Sequence, residues 1–192
     1  MPVKTFEQPD LIQGSPFTVY AGVDCPGIGM PDSEALARAR RRLEYVEPRW
    51  IDWHVESMIV TDGDALTDGT LRDMLIEAED IASQVYGGYA TILLTKGMTI
   101  CAAADYLIQR AGDGGLETVN GTRVGNVVKH PTLTQNIFLT GQIALIKGSV
   151  IDRVTPPVTL PDGTCKGRRA LAERVIVPLI ECLMYSGTAT CP

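Results

Sequence analysis

The chain has 192 residues, 45% of them hydrophobic, and a net charge of −6. That length holds one sizeable domain or two small lobes and lets about 70% of the unfolded surface be buried. The charge has the wrong sign for a protein that works by neutralising phosphates, and no apolar run reaches the ~18 residues of a membrane-spanning helix.

The first 31 residues, which include Pro2, Pro9, Pro16, Pro26 and Pro31, read as an extended arm. Proline removes backbone donors and glycine adds chain entropy, so such a segment is poor at building its own core. It lacks the apolar centre of a secretory signal.

From Asp32 the pattern changes. Leu36, Ala39, Leu43, Val46, Trp50 and Trp53 recur at helical spacing, which predicts one face of a long helix. Asp32 or Ser33 caps it after Pro31. Pro48 interrupts a helix by its missing N–H, yet the apolar stripe keeps phase across it, so a continuous, kinked helix is expected. Four arginines crowd into Arg38–Arg42. Glu34 lies four before Arg38, Arg40 four before Glu44, Arg41 three before Glu44 and Arg49 three before Asp52, all favourable helical neighbours. The arginines therefore read as a solvated or subunit-facing charged face, not a nucleic-acid grip, and both tryptophans as core.

Beyond the turn-rich "TDGDALTDGT" (61–70) comes a second helix, "LRDMLIEAEDIASQVYGG", stopped by Gly87 and Gly88. Counted from Asp62, the fifth position of that turn is Leu66, so it lacks the oxygen ligands of a calcium loop. "YATILLT" predicts a buried strand and "MTICAAADYLIQRAG" a third helix stopped at Gly112. "DGGLETVNGTRVGNVVKHPTL" predicts hairpin or loop, "NIFLTGQIALIKGSVID" two strands around Gly141, and "RVTPPVTLPDGTCKGRR" a loop. In "ALAERVIVPLIECLMYSG" the run Val175, Ile176, Val177 favours a long strand, with Pro178 at an edge or bulge. The order gives an α+β protein.

No motif rises to catalysis. The five cysteines (Cys25, Cys101, Cys165, Cys182, Cys191) contain no C-x-x-C pair, and their odd number and scatter argue against a disulfide framework or zinc site. A reduced cytoplasm fits them as the place of synthesis. Cys101 and His130 could be sketched as a thiol pair, but Cys101 opens an apolar helix where a buried, inert cysteine is the usual case. "GDGG" and "GQIALIKG" lack phosphate-loop spacing. No catalytic residue, metal or cofactor is expected.

"PFTVYAGVDC", the helix "ALARARRRLEYVEPRWIDWHVES", "TLRDMLIEAEDIASQVYGGYATILLT", "NIFLTGQIALIKGSVIDRV" and the closing "ALAERVIVPLIECLMYSG" together resemble small head proteins of phages infecting actinobacteria. These have the major capsid fold named after phage HK-ninety-seven, shared with encapsulins. The resemblance implies an N-terminal arm at 1–31 with a reduced hairpin loop. It implies a peripheral domain at 32–65 and 151–192 with a spine helix and return strands, and an axial domain at 66–150. It implies a structural, non-enzymatic capsid subunit that assembles with itself, as hexamers and pentamers, into an icosahedral shell. That shell encloses DNA without sequence-specific binding and has no membrane association. Scaffold, portal and decoration proteins are candidate further partners, and the expected location is the virion after synthesis in the host bacterial cytoplasm. An encapsulin-like compartment and a small cytoplasmic enzyme are the alternatives. Phe6, Phe17, Tyr20, Arg38, Arg41 and Arg42 are the candidate subunit contacts, the arm being laid across a neighbour or, alternatively, folded back as an edge strand. Lys–Asn cross-links join subunits in some members of this fold. Here no spacing selects a pair from Lys96, Lys129 and Lys147 with Asn120, Asn126 and Asn136, and none is predicted.

Overall fold

The computed structural model describes residues 11–24, 31–85, 90–156, 158–159, 165–166, 168–181 and 183–191. In chain order the elements are β1 (Leu11–Gln13), β2 (Phe17–Asp24), α1 (Asp32–Asp62), β3 (Asp64–Ala65), β4 (Gly69–Thr70), α2 (Leu71–Val85) and β5 (Thr91–Thr95). Then come α3 (Lys96–Ala104), β6 (Ile108–Arg110), β7 (Leu116–Thr118), β8 (Arg123–Val127), β9 (Ile137–Thr140), β10 (Ile143–Lys147) and β11 (Ile151–Thr155). The chain closes with β12 (Val158–Thr159), β13 (Cys165–Lys166), β14 (Arg169–Glu181), β15 (Met184–Gly187) and β16 (Ala189–Thr190). The chain divides into two compact units, one of residues 15–51 and 145–177, the other of residues 1–14, 52–144 and 178–192.

In the first unit α1 lies on a sheet built around β14. Residues 169–176 of β14 pair antiparallel with β2, and residues 169–173 with β11 on the other side. Side chains alternate across a strand, so Ala170 and Ala172 face Ala35, Ala39 and Leu43 of the helix, with Val19, Ala21 and Ile176 completing the cluster. Five of these eight residues are alanine, which lets helix and sheet approach closely. For the described residues the chain takes the folded-back alternative. Phe17–Asp24 pairs with β14 alone, as an edge strand of the chain's own sheet, and Leu11–Gln13 pairs with Leu179–Glu181. Val19 and Ala21 need no neighbour to be covered.

The helix does run unbroken through Pro48. The carbonyl of Pro31 accepts the N–H groups of Glu34 and Ala35 at its start, both at 3.1 Å. The predicted stripe drifts, however. Ala39 and Leu43 are buried, but Trp50 is 39% exposed, and the buried row continues through Glu47, Val55 and Ile59 instead. A row at i+4 turns about 40° per step on a 3.6-residue helix; Ala39 and Leu43 pack in the first unit's cluster, while Val55 and Ile59 are buried within the other unit. Glu47 is tolerated in the row because Lys147 Nζ (2.7 Å) and Arg174 Nη1 (2.9 Å) both reach its carboxylate.

In the second unit a seven-stranded sheet has the order β3-β15-β9-β5-β8-β7-β6, with β5/β8 and β3/β15 parallel. Its central strands are apolar runs. Ile92, Leu94, Ile137 and Leu139 pack with Leu71, Met74, Leu75 and Ala78 of α2 and Ala102 of α3. Leu93 and Phe138 alternate to the opposite face and are buried too. A strand covered on both faces reads as continuous hydrophobicity, which is why "TILLT" and "IFLT" stand out. The third helix is shorter than predicted: it stops at Ala104, and Ile108–Arg110 is a strand. The two strands around Gly141 exist but belong to different sheets. Within the expected loop, Val158–Thr159 pairs with Cys165–Lys166.

Candidate functional site: the arginine face of the long helix

The first half of α1 buries Ala35, Ala39 and Leu43 and so turns its arginines outward. Arg38 Nη2 donates to Glu34 Oε1 at 2.6 Å, the expected pair. Arg40 does not use Glu44; its Nε donates to Asp152 Oδ2 on β11 at 2.6 Å, and that guanidinium holds the Asp152 carboxyl below its usual range. Arg42 Nη1 donates to the Gly22 carbonyl on β2 at 3.1 Å. Arg41 is exposed and has no hydrogen bond or ion pair among the described residues. Tyr45, on the same face, is 86% exposed. Tyr20 of β2 is 61% exposed, whereas Phe17 is partly buried against the unit's own apolar cluster. Phe6 lies outside the described residues. The helix thus brings Arg38, Arg41 and Arg42 together, while β2 supplies Tyr20 and turns Phe17 inward.

Residues 52–56 of α1, in the other unit, carry a second arrangement that the sequence reading missed. Asp52 Oδ2 accepts the Val128 N–H and Glu56 Oε2 the His130 N–H, both at 3.0 Å. Trp53 Nε1 donates to the Lys129 carbonyl at 3.0 Å, and its ring meets His130 edge-on. One turn of helix thereby anchors three consecutive residues after β8. Asp52 and Glu56 stand four apart, the one signal in the sequence. Burial pushes the Glu56 carboxyl up to about 7, opposed by the His130 N–H and reinforced by the charge of Asp52. Burial also raises Asp52. Glu56 Oε1 is buried without a partner among the described residues.

This carboxylate pair is spent on backbone N–H groups. Among the described residues no three His, Cys, Asp or Glu side chains could hold a metal ion, and no helix is long and apolar enough to cross a membrane. Cys101 does not pair with His130. It forms a disulfide with Cys191, 90 residues away, which corrects the reading of scattered, inert thiols. The tail around Cys191 is further fixed by Asn136, whose side chain donates to the Ala189 carbonyl and accepts its N–H, both at 2.8 Å.

No family model and no curated protein matches the sequence. Solved structures do match in fold. One from Mycobacterium phage Che8 aligns with a TM-score of 0.51 at 13% identity, covering 90% of this chain and 70% of that one. The asymmetric unit of the bacteriophage PhiM1 mature capsid gives 0.50 at 10% identity, covering 99% and 77%. One from Gordonia phage Cozz gives 0.50 at 11%, covering 96% and 72%. All three come from phages, and this chain shares the fold of the PhiM1 mature capsid.

Proposed function

We propose that this chain is a structural head subunit of a phage, copies of which self-assemble into an icosahedral shell of hexamers and pentamers enclosing DNA. The observation that carries the reading is the likeness in fold to phage capsid structures over 90% or more of the chain. The unit with the helix-on-sheet core takes the part of the peripheral domain, with α1 as its spine. The unit with the seven-stranded sheet takes that of the axial domain. A shell subunit requires area and shape rather than a reaction centre. Within the shell, Tyr20, Arg38, Arg41 and Arg42 make subunit contacts. DNA is held by containment, since the chain carries a net charge of −6.

The test is direct. Expressed protein examined by negative-stain electron microscopy and sedimentation velocity is expected to form closed particles of uniform size. A homogeneous monomer under all assembly conditions overturns the reading. Particles purified from infected cells are expected to protect DNA from nuclease. Particles filled with a protein cargo instead would favour a compartment.

A further inference from the structure

In the unit with the seven-stranded sheet, α3 ends in a way that its residues do not favour. Ala102 O accepts the Leu107 N–H at 2.8 Å and Ala103 O the Tyr106 N–H at 3.3 Å, the pair of bonds that closes a helix through one left-handed residue. That residue is Tyr106, with φ 57°, the one non-glycine residue of positive φ among those described. Glycine is the usual occupant, because a Cβ there crowds the following carbonyl. The Tyr106 side chain is 86% exposed, so burial against its own chain does little to offset the strain. Asp105 beside it has no side-chain partner among the described residues. Strain kept for a bulky aromatic that points into water implies a use outside the folded unit.

The same unit carries a matching surface. A groove of about 240 Å³ runs between α2 and the β7–β8 turn, lined chiefly by Leu75, Ile76, Leu107 and Val119; Glu79, also in its lining, accepts hydrogen bonds from the Thr118 and Thr122 hydroxyls. Ile76 is 55% and Val119 61% exposed. Arg72 lies in its wall, exposed and without an ion pair among the described residues. An apolar slot with an unanswered cation complements an aromatic knob with an unanswered carboxylate.

We propose that Tyr106 of one copy of this chain inserts into the groove between α2 and the β7–β8 turn of a second copy, with Asp105 of the first facing Arg72 of the second. The contact rests on the shell reading above and supplies one of its subunit interfaces. Leu107, next to Tyr106, lines the groove, so knob and groove adjoin on each copy and two copies can exchange them reciprocally about a twofold axis. A buried aromatic ringed by polar groups has the make-up of an interface anchor.

Tyr106→Gly separates this use from folding, since glycine relieves the backbone. The variant is expected to melt no lower than the parent while forming particles at least tenfold more slowly by light scattering. Arg72→Asp and Asp105→Arg are each expected to impair assembly, and the double exchange to restore it. In a mixture of isotopically light and heavy chains, a benzoylphenylalanine placed at 106 is expected to cross-link to residues 72–79 or 118–120 of another copy. Normal assembly of Tyr106→Gly, a double exchange no better than either single, or cross-links confined within one chain overturns the contact. If the parent itself never forms particles, the shell reading fails with it. If the parent assembles and the variants match it, only this contact fails.

Discussion

The two units of this chain reach stability by different chemistry. The unit with the seven-stranded sheet has a core of large aliphatic side chains on both faces of β5 and β9, and a disulfide between Cys101 and Cys191. The other has an alanine-rich seam between α1 and β14 and a buried carboxylate, Glu47, held by Lys147 and Arg174. Charge divides the same way. Residues 15–51 and 145–177 hold eleven basic and eight acidic side chains, net +3; the remainder holds six and fifteen, net −9. A net charge of −6 for the whole chain conceals a basic region, and a composition argument against a polyanion partner applies to one unit more than to the other.

Substitutions in each unit test the contrast. The largest effect is expected from Phe138→Ala, which empties a fully buried aromatic site in the aliphatic core. It should cost about 4 kcal/mol in denaturant titration. Glu47→Ala tests the ionic counterpart. It leaves Arg174 and Lys147 facing each other without their anion, and a loss of about 3 kcal/mol is expected. A loss below about 1 kcal/mol would mean that the two cations simply turn to solvent.

Reduction of the disulfide, or Cys101→Ser, should destabilise only the aliphatic unit, by about 2 kcal/mol or more given the 90-residue loop it closes. Protection of amides in β2 and in residues 169–177 of β14 should stay unchanged in hydrogen exchange.

A smaller, pH-dependent effect belongs to Glu56. Its folded carboxyl is raised from 4.5 to about 7, so the folded state binds the proton more tightly than the unfolded chain does. That contribution is complete below about 4.5 and is lost as the pH rises to about 7. Melting temperatures of the parent should fall across this window relative to Glu56→Gln, which lacks the titration. Parallel pH profiles would show that Glu56 stays ionised.

The smallest effect separates the tryptophans. Trp50→Ala should cost less than about 1 kcal/mol, because the ring is 39% exposed. Trp53→Ala, which also loses the bond to the Lys129 carbonyl, should cost about 2 kcal/mol.

Local periodicity was enough to read α1 through Pro48, α2, the buried strand Thr91–Thr95 and the long strand Arg169–Glu181, since each of these follows from residues adjacent in the chain. The resemblance in element order to phage head proteins was also present in the sequence, and the fold bears it out. The place where α3 ends was not legible. Ala104 to Tyr106 contains no glycine, and the turn there is imposed by Ile108 joining the sheet through β7.

The candidate site divides in the same way. The Glu34–Arg38 pair lies within one turn of helix and could be read from spacing. Arg40 prefers Asp152 over Glu44, a choice made across 112 residues. Residues adjacent in the chain set most of the helical and extended segments, where charge and apolar side chains lie along them, and thereby the α+β class. Contacts across the fold settled which row of α1 is buried, that β2 joins the chain's own sheet at its edge, and which cysteines, acids and arginines meet. Those outcomes depend on contacts between residues 20 to 159 positions apart, and no local pattern encodes the partner of a residue at that distance.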